Sequence, residues 1–260
     1  MALLVRTWNV FHGNAVPPER RAFLKEMVEL ATADQPDALC LQEVPVWALS
    51  KLEGWSGMRS FGVVASRPKL ISAELGKWVT DLNNGFFRSA FTGQANALLI
   101  AQGLRAVGED WIVLNPRNFR RAEAKKLGLD FRTRLGWALE RRVCQAVRVE
   151  TEGRYVSIAN LHASRVDRRC ADVELQRAAD FAEAFAHDGD TLVLAGDFNI
   201  GTKTSQTLKN LEGYSEPIPG IDQVLVKGAE SLGTEKWPPE RRTVDGRLLS
   251  DHAPVETRFE

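Results

Sequence analysis

Residues 192–202 read LVLAGDFNIGT, and residues 248–256 read LLSDHAPVE. In each, an apolar run ends abruptly on Asp, Asn or His. A buried strand that stops on groups costly to bury must either turn there or present a polar site at its end. Similar endings recur along the chain. Asn9 lies in TWNVFHG, Glu43 closes LCLQE, Asn160 and His162 lie in IANLH, and Asp222 opens IDQVLV. One such ending reads as a turn. Six of them read as strand ends that converge on one site.

Working outward, residues 2–11, 37–43, 56–65, 95–100, 104–114, 143–150, 155–161, 191–196, 222–227 and 253–259 read as strands, with Glu152-Gly153 as a hairpin turn. Phe23, Met27 and Leu30 recur at helical spacing between Pro18 and Pro36. A short helix is expected over 45–53. Leu175, Ala178, Ala182 and Phe185 mark one face of a helix over 168–187. Residues 66–94 mix helical hints with a turn signal at Asn83-Asn84-Gly85, and 201–220 and 233–252 read as polar loops. Strands outnumber helices without a regular βαβ repeat. The expected fold is therefore α/β, a sandwich of two mixed β-sheets with helices outside, as one domain over residues 1–260.

The bulk numbers exclude several classes. Hydrophobic residues make up 44% and charged residues 26%, an ordinary globular balance. Lys plus Arg equals Asp plus Glu at 34 each, so no overall basic field points to non-specific nucleic-acid binding. Three widely spaced cysteines, 40, 144 and 170, form no C-x-x-C motif. They fit a reducing, cytoplasmic setting, with Cys40 and Cys144 as core residues. MALLVRTWNV reads as a strand rather than a leader, no 18-residue apolar run exists to span a membrane, and a monomer is expected.

The chemistry these endings support is metal-assisted phosphoester hydrolysis. Glu43 and Asp251 offer hard oxygen ligands suited to Mg²⁺ or Mn²⁺. Asp197 can take a proton from water, Asn199 can orient that water, and His252 can donate to a phosphoryl oxygen. Four histidines without a close pair give a His-x-x-x-His zinc site little support. His12, Asp167, Asp172 and Asp245 read as local structure.

In order, TWNVFHG, LQE, GQANALL, NLH, GDFN, IDQV and SDHAPV resemble the endonuclease/exonuclease/phosphatase superfamily, the DNase I-like proteins. The likeness spans residues 5–256. GDFN and SDHAPV, about fifty residues apart with Ile221-Asp222 between them, are its specific part, and GQANALL alone is weak. The resemblance implies a four-layer α/β sandwich with its site at one edge of the sheets. It implies metal binding by Glu43 with Asn9 beside it, and by Asp222 and Asp251. Asp197 would act on water, while Asn199, His162 and His252 would contact the phosphate. His162 resembles the histidine of the DNase and sphingomyelinase branches, where the apurinic-site branch has a tyrosine. That departure argues against base-excision repair.

Residues 117–142 hold nine Arg or Lys against three acids, with Phe119, Phe131 and Trp137 interleaved. They read either as a grip for single-stranded nucleic acid, with Arg141 and Arg142 nearest the phosphate, or as a solvated helix whose aromatics pack inward. Arg241, Arg242 and Arg247 could line the opposite rim. The expected activity is a Mg²⁺- or Mn²⁺-dependent nuclease acting on a phosphodiester. The alternative is a phosphatase or lipid phosphodiesterase, for which Trp78, Phe86, Phe87 and Phe91 could form an apolar loop facing a membrane. A third reading is a binding protein without catalysis, which the complete set of acids and histidines disfavours.

Overall fold

A computed structural model describes residues 2–67 and 92–260. The turn expected at 83–85 and the aromatic loop of Trp78, Phe86, Phe87 and Phe91 lie outside the described residues. Two mixed sheets face one another. The first runs, in spatial order, β11 (Ser231–Lys236), β14 (Val255–Phe259), β1 (Leu3–Asn9), β3 (Ala38–Val44), β5 (Gln94–Ile100) and β4 (Arg59–Ser66). The second runs β10 (Asp222–Lys227), β9 (Thr191–Asp197), β8 (Arg154–His162), β7 (Val143–Thr151) and β6 (Arg105–Val113). A small third sheet joins β2 (Ala15–Val16), β13 (Arg247–Leu249) and β12 (Thr243–Val244).

Strand β3 shows why the central strands read as near-continuous apolar runs. Its Ala38 and Cys40 face the other sheet, while Leu39 and Leu41 face helices α1 (Leu24–Thr32) and α2 (Leu52–Ser56). Both faces of the strand are covered, so alternation between apolar and polar residues disappears. On the far side, α5 (Arg168–Phe185) buries Leu175, Ala178 and Ala182 against the second sheet. The result is four layers, helix–sheet–sheet–helix, as the sequence led us to expect. Cys40, Cys144 and Cys170 are all free thiols buried in these layers. Among the described residues no helix is long and apolar enough to cross a membrane.

The inter-sheet layer is not wholly apolar. Asn160 on β8 donates from Nδ2 to the carbonyls of Leu41 (3.1 Å) and Ala97 (3.0 Å) on the facing sheet. Its Oδ1 accepts from Gln42 Nε2 at 2.8 Å. Three hydrogen bonds from one buried amide thus tie the sheets together two residues before His162 and one before Glu43. Replacing Asn160 with Ala removes all three bonds from a dry layer, although Gln42 Nε2 keeps Thr7 Oγ1 at 2.9 Å and the Cys40 carbonyl at 3.2 Å. Urea unfolding should show a loss of about 3 kcal/mol, beyond the average point mutation.

Several segments depart from the expected elements, among them a short helix over Gln206–Asn210 and the strands β12 and β13 in stretches expected as loops. β11 lies where a loop was expected; SLGTEK is a solvated edge strand with no apolar face to betray it. Residues 117–142 form two helices, α3 (Arg117–Lys126) and α4 (Phe131–Leu139), where one was anticipated.

Candidate active site

Register brings the site together. β8 and β9 are parallel, and β9 and β10 antiparallel, so His162 pairs with Asp197 and Asp197 with Asp222. These three residues form one row across neighbouring strand ends. Gly196 makes the row possible. A Cβ there would lie 1.9 Å from the Leu161 carbonyl oxygen, and its φ of +142° disfavours a side chain. From the opposite sheet, Asn9 at the end of β1 reaches across and donates from Nδ2 to Asp197 Oδ2 at 2.9 Å. Its own Oδ1 accepts from the Phe11 amide.

Glu43 sits where β3 slips register against β5, in the left-handed region at φ 56°. Such an irregularity re-aims a side chain out of the ladder. Phe11, His12, Asn199 and Ser250 also hold positive φ. Left-handed backbone in residues other than glycine is costly and gathers where a site over-determines it.

The two central histidines are held in opposite protonation states. His162 is buried, and its Nδ1 faces two donors, Gln94 Nε2 at 2.9 Å and Arg142 Nη1 at 3.1 Å. A ring nitrogen facing two donors must accept, so the proton resides on Nε2. That nitrogen lies 3.5 Å from Asp197 Oδ2 and 3.8 Å from Glu43 Oε1. Burial, reinforced by the Arg142 charge, pushes the His162 pKa well below its usual value, in agreement with a neutral ring. His252 behaves otherwise. Burial works against its charge, but hydrogen bonding and attraction from Asp222, whose oxygens lie 2.9 and 3.0 Å from Nδ1, lift its pKa to about 9. His252 is therefore an imidazolium at neutral pH, with Nε2 turned toward Asp197 at 3.9 Å.

Asp197 itself is 1% exposed. Burial and the repulsion of Asp222 raise its pKa to about 7, against the pull of His252 and hydrogen bonds from Asn9 and the Asn199 amide. Glu43 moves the other way. Burial would raise it, but His12 foremost, and with it the Arg142 guanidinium, hold it below the ordinary carboxylate range.

Each residue anticipated from sequence can now be placed. Asn9, Glu43, His162, Asp197, Asn199, Asp222 and His252 meet at one edge. Asn199 donates its side-chain amide to the Ala163 carbonyl at 3.0 Å, so it shapes the Asp197 loop from both backbone and side chain. Asp222 is the partner of His252. Asp251 is exposed at the rim and makes no hydrogen bond or ion pair among the described residues. Arg142 is buried against His162 and also reaches Glu140. Arg141 donates to the Val64 and Ala65 carbonyls at the end of β4.

The opposite rim is a correction. Arg242 is buried and donates to the Leu249 and Ser250 carbonyls, holding the SDH loop in place. Arg241 stacks on Trp237 and pairs with Glu256, while Arg247 pairs with Glu19. These cations serve the protein's own acids and backbone. Two further residues were missed. His12, read as local structure, is buried with Nε2 3.1 Å from Glu43 Oε2. Gln94, the second residue of the weak motif GQANALL, touches His162. Behind them Glu174 on α5, fully buried, accepts from Trp137 Nε1 and from the amide and hydroxyl of Ser164. It thereby fastens α4 to the loop that follows His162.

Asp197, Asp222 and His252 bring three possible ligand atoms within 4.8 Å of one another, a group compatible with a divalent metal. The acids supply hard oxygens, which suit Mg²⁺ or Mn²⁺. The His252 ring, however, is already committed to Asp222 through Nδ1, and in its charged form it repels a cation. Glu43 is the carboxylate best kept ionised for one.

A family model described as the endonuclease/exonuclease/phosphatase family matches residues 7–252. No curated protein matches the sequence. Solved structures resemble it at low identity. An endonuclease/exonuclease/phosphatase from Bacteroides vulgatus is 14% identical, with TM-score 0.69, over 100% of this chain and 99% of the other. A mannosyl-6-phosphatase from Bacteroides thetaiotaomicron VPI-5482 is 14% identical, with TM-score 0.66, over 99% of each chain. Truncated Caenorhabditis elegans TDP2 is 14% identical, with TM-score 0.65, over 100% of this chain and 97% of the other. At such identity the likeness is one of fold.

Proposed function

Because this chain belongs to the endonuclease/exonuclease/phosphatase family, we propose that it hydrolyses a phosphoester by water attack, assisted by Mg²⁺ or Mn²⁺. The supporting observation is the in-register row His162–Asp197–Asp222, closed by Glu43 and His252. When bound, the metal would be held by Glu43, with Asn9 and Asp251 nearby, and would neutralise phosphoryl charge as a Lewis acid. Asp197, with a pKa near 7, takes the proton of the attacking water. Asn9 Nδ2 and the Asn199 amide fix its carboxyl for that transfer. His162 Nε2–H and the His252 imidazolium donate to the phosphoryl oxygens as negative charge builds.

For the substrate, the reading favours a small phosphoester or a headgroup over a long nucleic acid. Two aromatics of the segment that would stack on bases are turned inward. Trp137 is 1% exposed, and Phe119 lies edge-on against it at 6.3 Å. A sugar phosphatase among the structural neighbours is in keeping with that choice. A panel tests it: a sugar phosphate, an inositol phosphate, sphingomyelin, single- and double-stranded DNA, and RNA, each with Mg²⁺ or Mn²⁺. The small or lipid substrates should lead in kcat/KM by about tenfold or more. Faster cleavage of a polymer would return the assignment to a nuclease, and no hydrolysis of any of them would remove it.

A further inference from the structure

Helix α4 is pinned on its inner face. Trp137 is buried and bonded to Glu174, Arg120 donates to the Trp137 carbonyl at 3.1 Å, and Asp130 caps the first turn through the Thr133 amide. Its outer face is nevertheless apolar. Phe131 is 78% exposed, Leu135 51% and Leu139 66%. Their spacing of four residues places them in one ridge. Exposed apolar side chains are commonplace singly but not as a continuous ridge on a rigid helix. Trp111, also exposed, lies beside Arg141 just past the end of the ridge.

An acid stands at each end of the ridge, Asp130 taken up in the helix cap and Glu140 in bonds to Arg142 and the Arg165 amide, and the exposed charges of the two helices are otherwise mostly cations. On α3, Arg117, Arg121 and Lys125 repeat at the same spacing, and with Arg132 on α4 they are exposed and form no ion pair among the described residues. An apolar ridge bordered by cations is the composition of a helix lying in a lipid–water interface. We propose that α4, with the basic stripe of α3, docks this protein on an anionic phospholipid bilayer. The occupant follows from the chemistry. A second copy meeting the same face about a two-fold axis would set basic stripe against basic stripe. Single-stranded nucleic acid stacks on aromatic planes, whereas two of the three ridge residues are leucines. The ridge ends one residue before Glu140, which bonds the Arg165 amide and Arg142. Docking there brings the His162 side of the cleft close to the headgroups.

The test is co-sedimentation of the whole chain with vesicles of equimolar phosphatidylcholine and phosphatidylserine, and with phosphatidylcholine alone. Binding should need the anionic lipid and weaken steeply with added salt. A triple variant, Phe131→Ser with Leu135→Ser and Leu139→Ser, should bind at least about tenfold more weakly. Its melting temperature and its turnover of a soluble phosphoester should be unchanged, because these side chains are exposed and lie outside the site. A second variant, Arg121→Glu with Lys125→Glu, keeps the ridge and should lose the preference for anionic lipid. Absence of vesicle binding at low salt would overturn the proposal, as would equal binding by the triple variant. So would a dimer in sedimentation equilibrium that the triple variant dissolves, or retention by single-stranded DNA in place of vesicles. Each binding readout is independent of whether the cleft hydrolyses anything.

Discussion

Asp197→Asn should lower turnover by about 10³-fold or more while raising the melting temperature of the metal-free protein at pH 8. The first effect follows from the proposed mechanism, in which the Asp197 carboxylate takes the proton of the attacking water. The second follows from linkage. The native carboxyl has its pKa raised to about 7 from an ordinary 3.8, so the folded state holds its proton more tightly than the unfolded state does. Stability therefore falls as pH rises through that window, and the whole cost of the buried charge is present above it. Asparagine carries no charge to bury. It also accepts only one of the two hydrogen bonds that Asn9 and the Asn199 amide now donate, which offsets part of the gain. A net stabilisation of about 2 kcal/mol is expected at pH 8, shrinking toward zero below pH 4. Thermal melts of both proteins across pH, beside rate measurements, check it. A variant that melts lower than the parent at pH 8 would mean that the aspartate is there for structure.

The second large effect concerns the Asp222–His252 pair. Asp222 lifts the His252 pKa to about 9 and, by repulsion, helps to lift that of Asp197 to about 7. In the parent, activity should rise as Asp197 ionises on the acid side and fall as His252 loses its proton on the basic side. Asp222→Asn removes both influences. The Asp197 pKa drops because a like charge has gone, and the His252 pKa drops because its carboxylate partner has gone and burial remains. Both limbs of the pH–rate profile should move to lower pH together. At pH 8, where the parent is near its maximum, the variant should lose about 10² in kcat as His252 becomes neutral. A profile that loses height without moving would show that Asp222 does not set these protonation states.

Much of this was legible in the sequence, and the reason is local. A strand buried on both faces reads as an unbroken apolar run, so its end is sharp, and Asn9, Glu43, His162 and Asp197 each stand at such an end. Register then does the rest, which explains why Asp222, at the start of a strand, joins residues at the ends of others. What could not be read depended on long-range partners. His12 and Gln94 follow or open a strand with nothing to distinguish them from loop residues, yet each touches a charged or ring group brought from elsewhere. Arg241, Arg242 and Arg247 looked like a phosphate rim because sequence shows charge without its partner. β11 carries no apolar face, and α4 was hidden inside a run dominated by its cations.

The most direct test of the account is a titration of Mn²⁺ into the wild-type protein, Glu43→Gln and the triple ridge variant, followed by calorimetry and by loss of free Mn²⁺ in electron paramagnetic resonance. Glu43 is held ionised by His12 foremost and by Arg142. Wild type and ridge variant should bind with the same affinity, and Glu43→Gln at least about tenfold more weakly. Equal binding by Glu43→Gln, or no binding by the wild type at millimolar Mn²⁺, would contradict a metal-assisted phosphoesterase built on these strand ends.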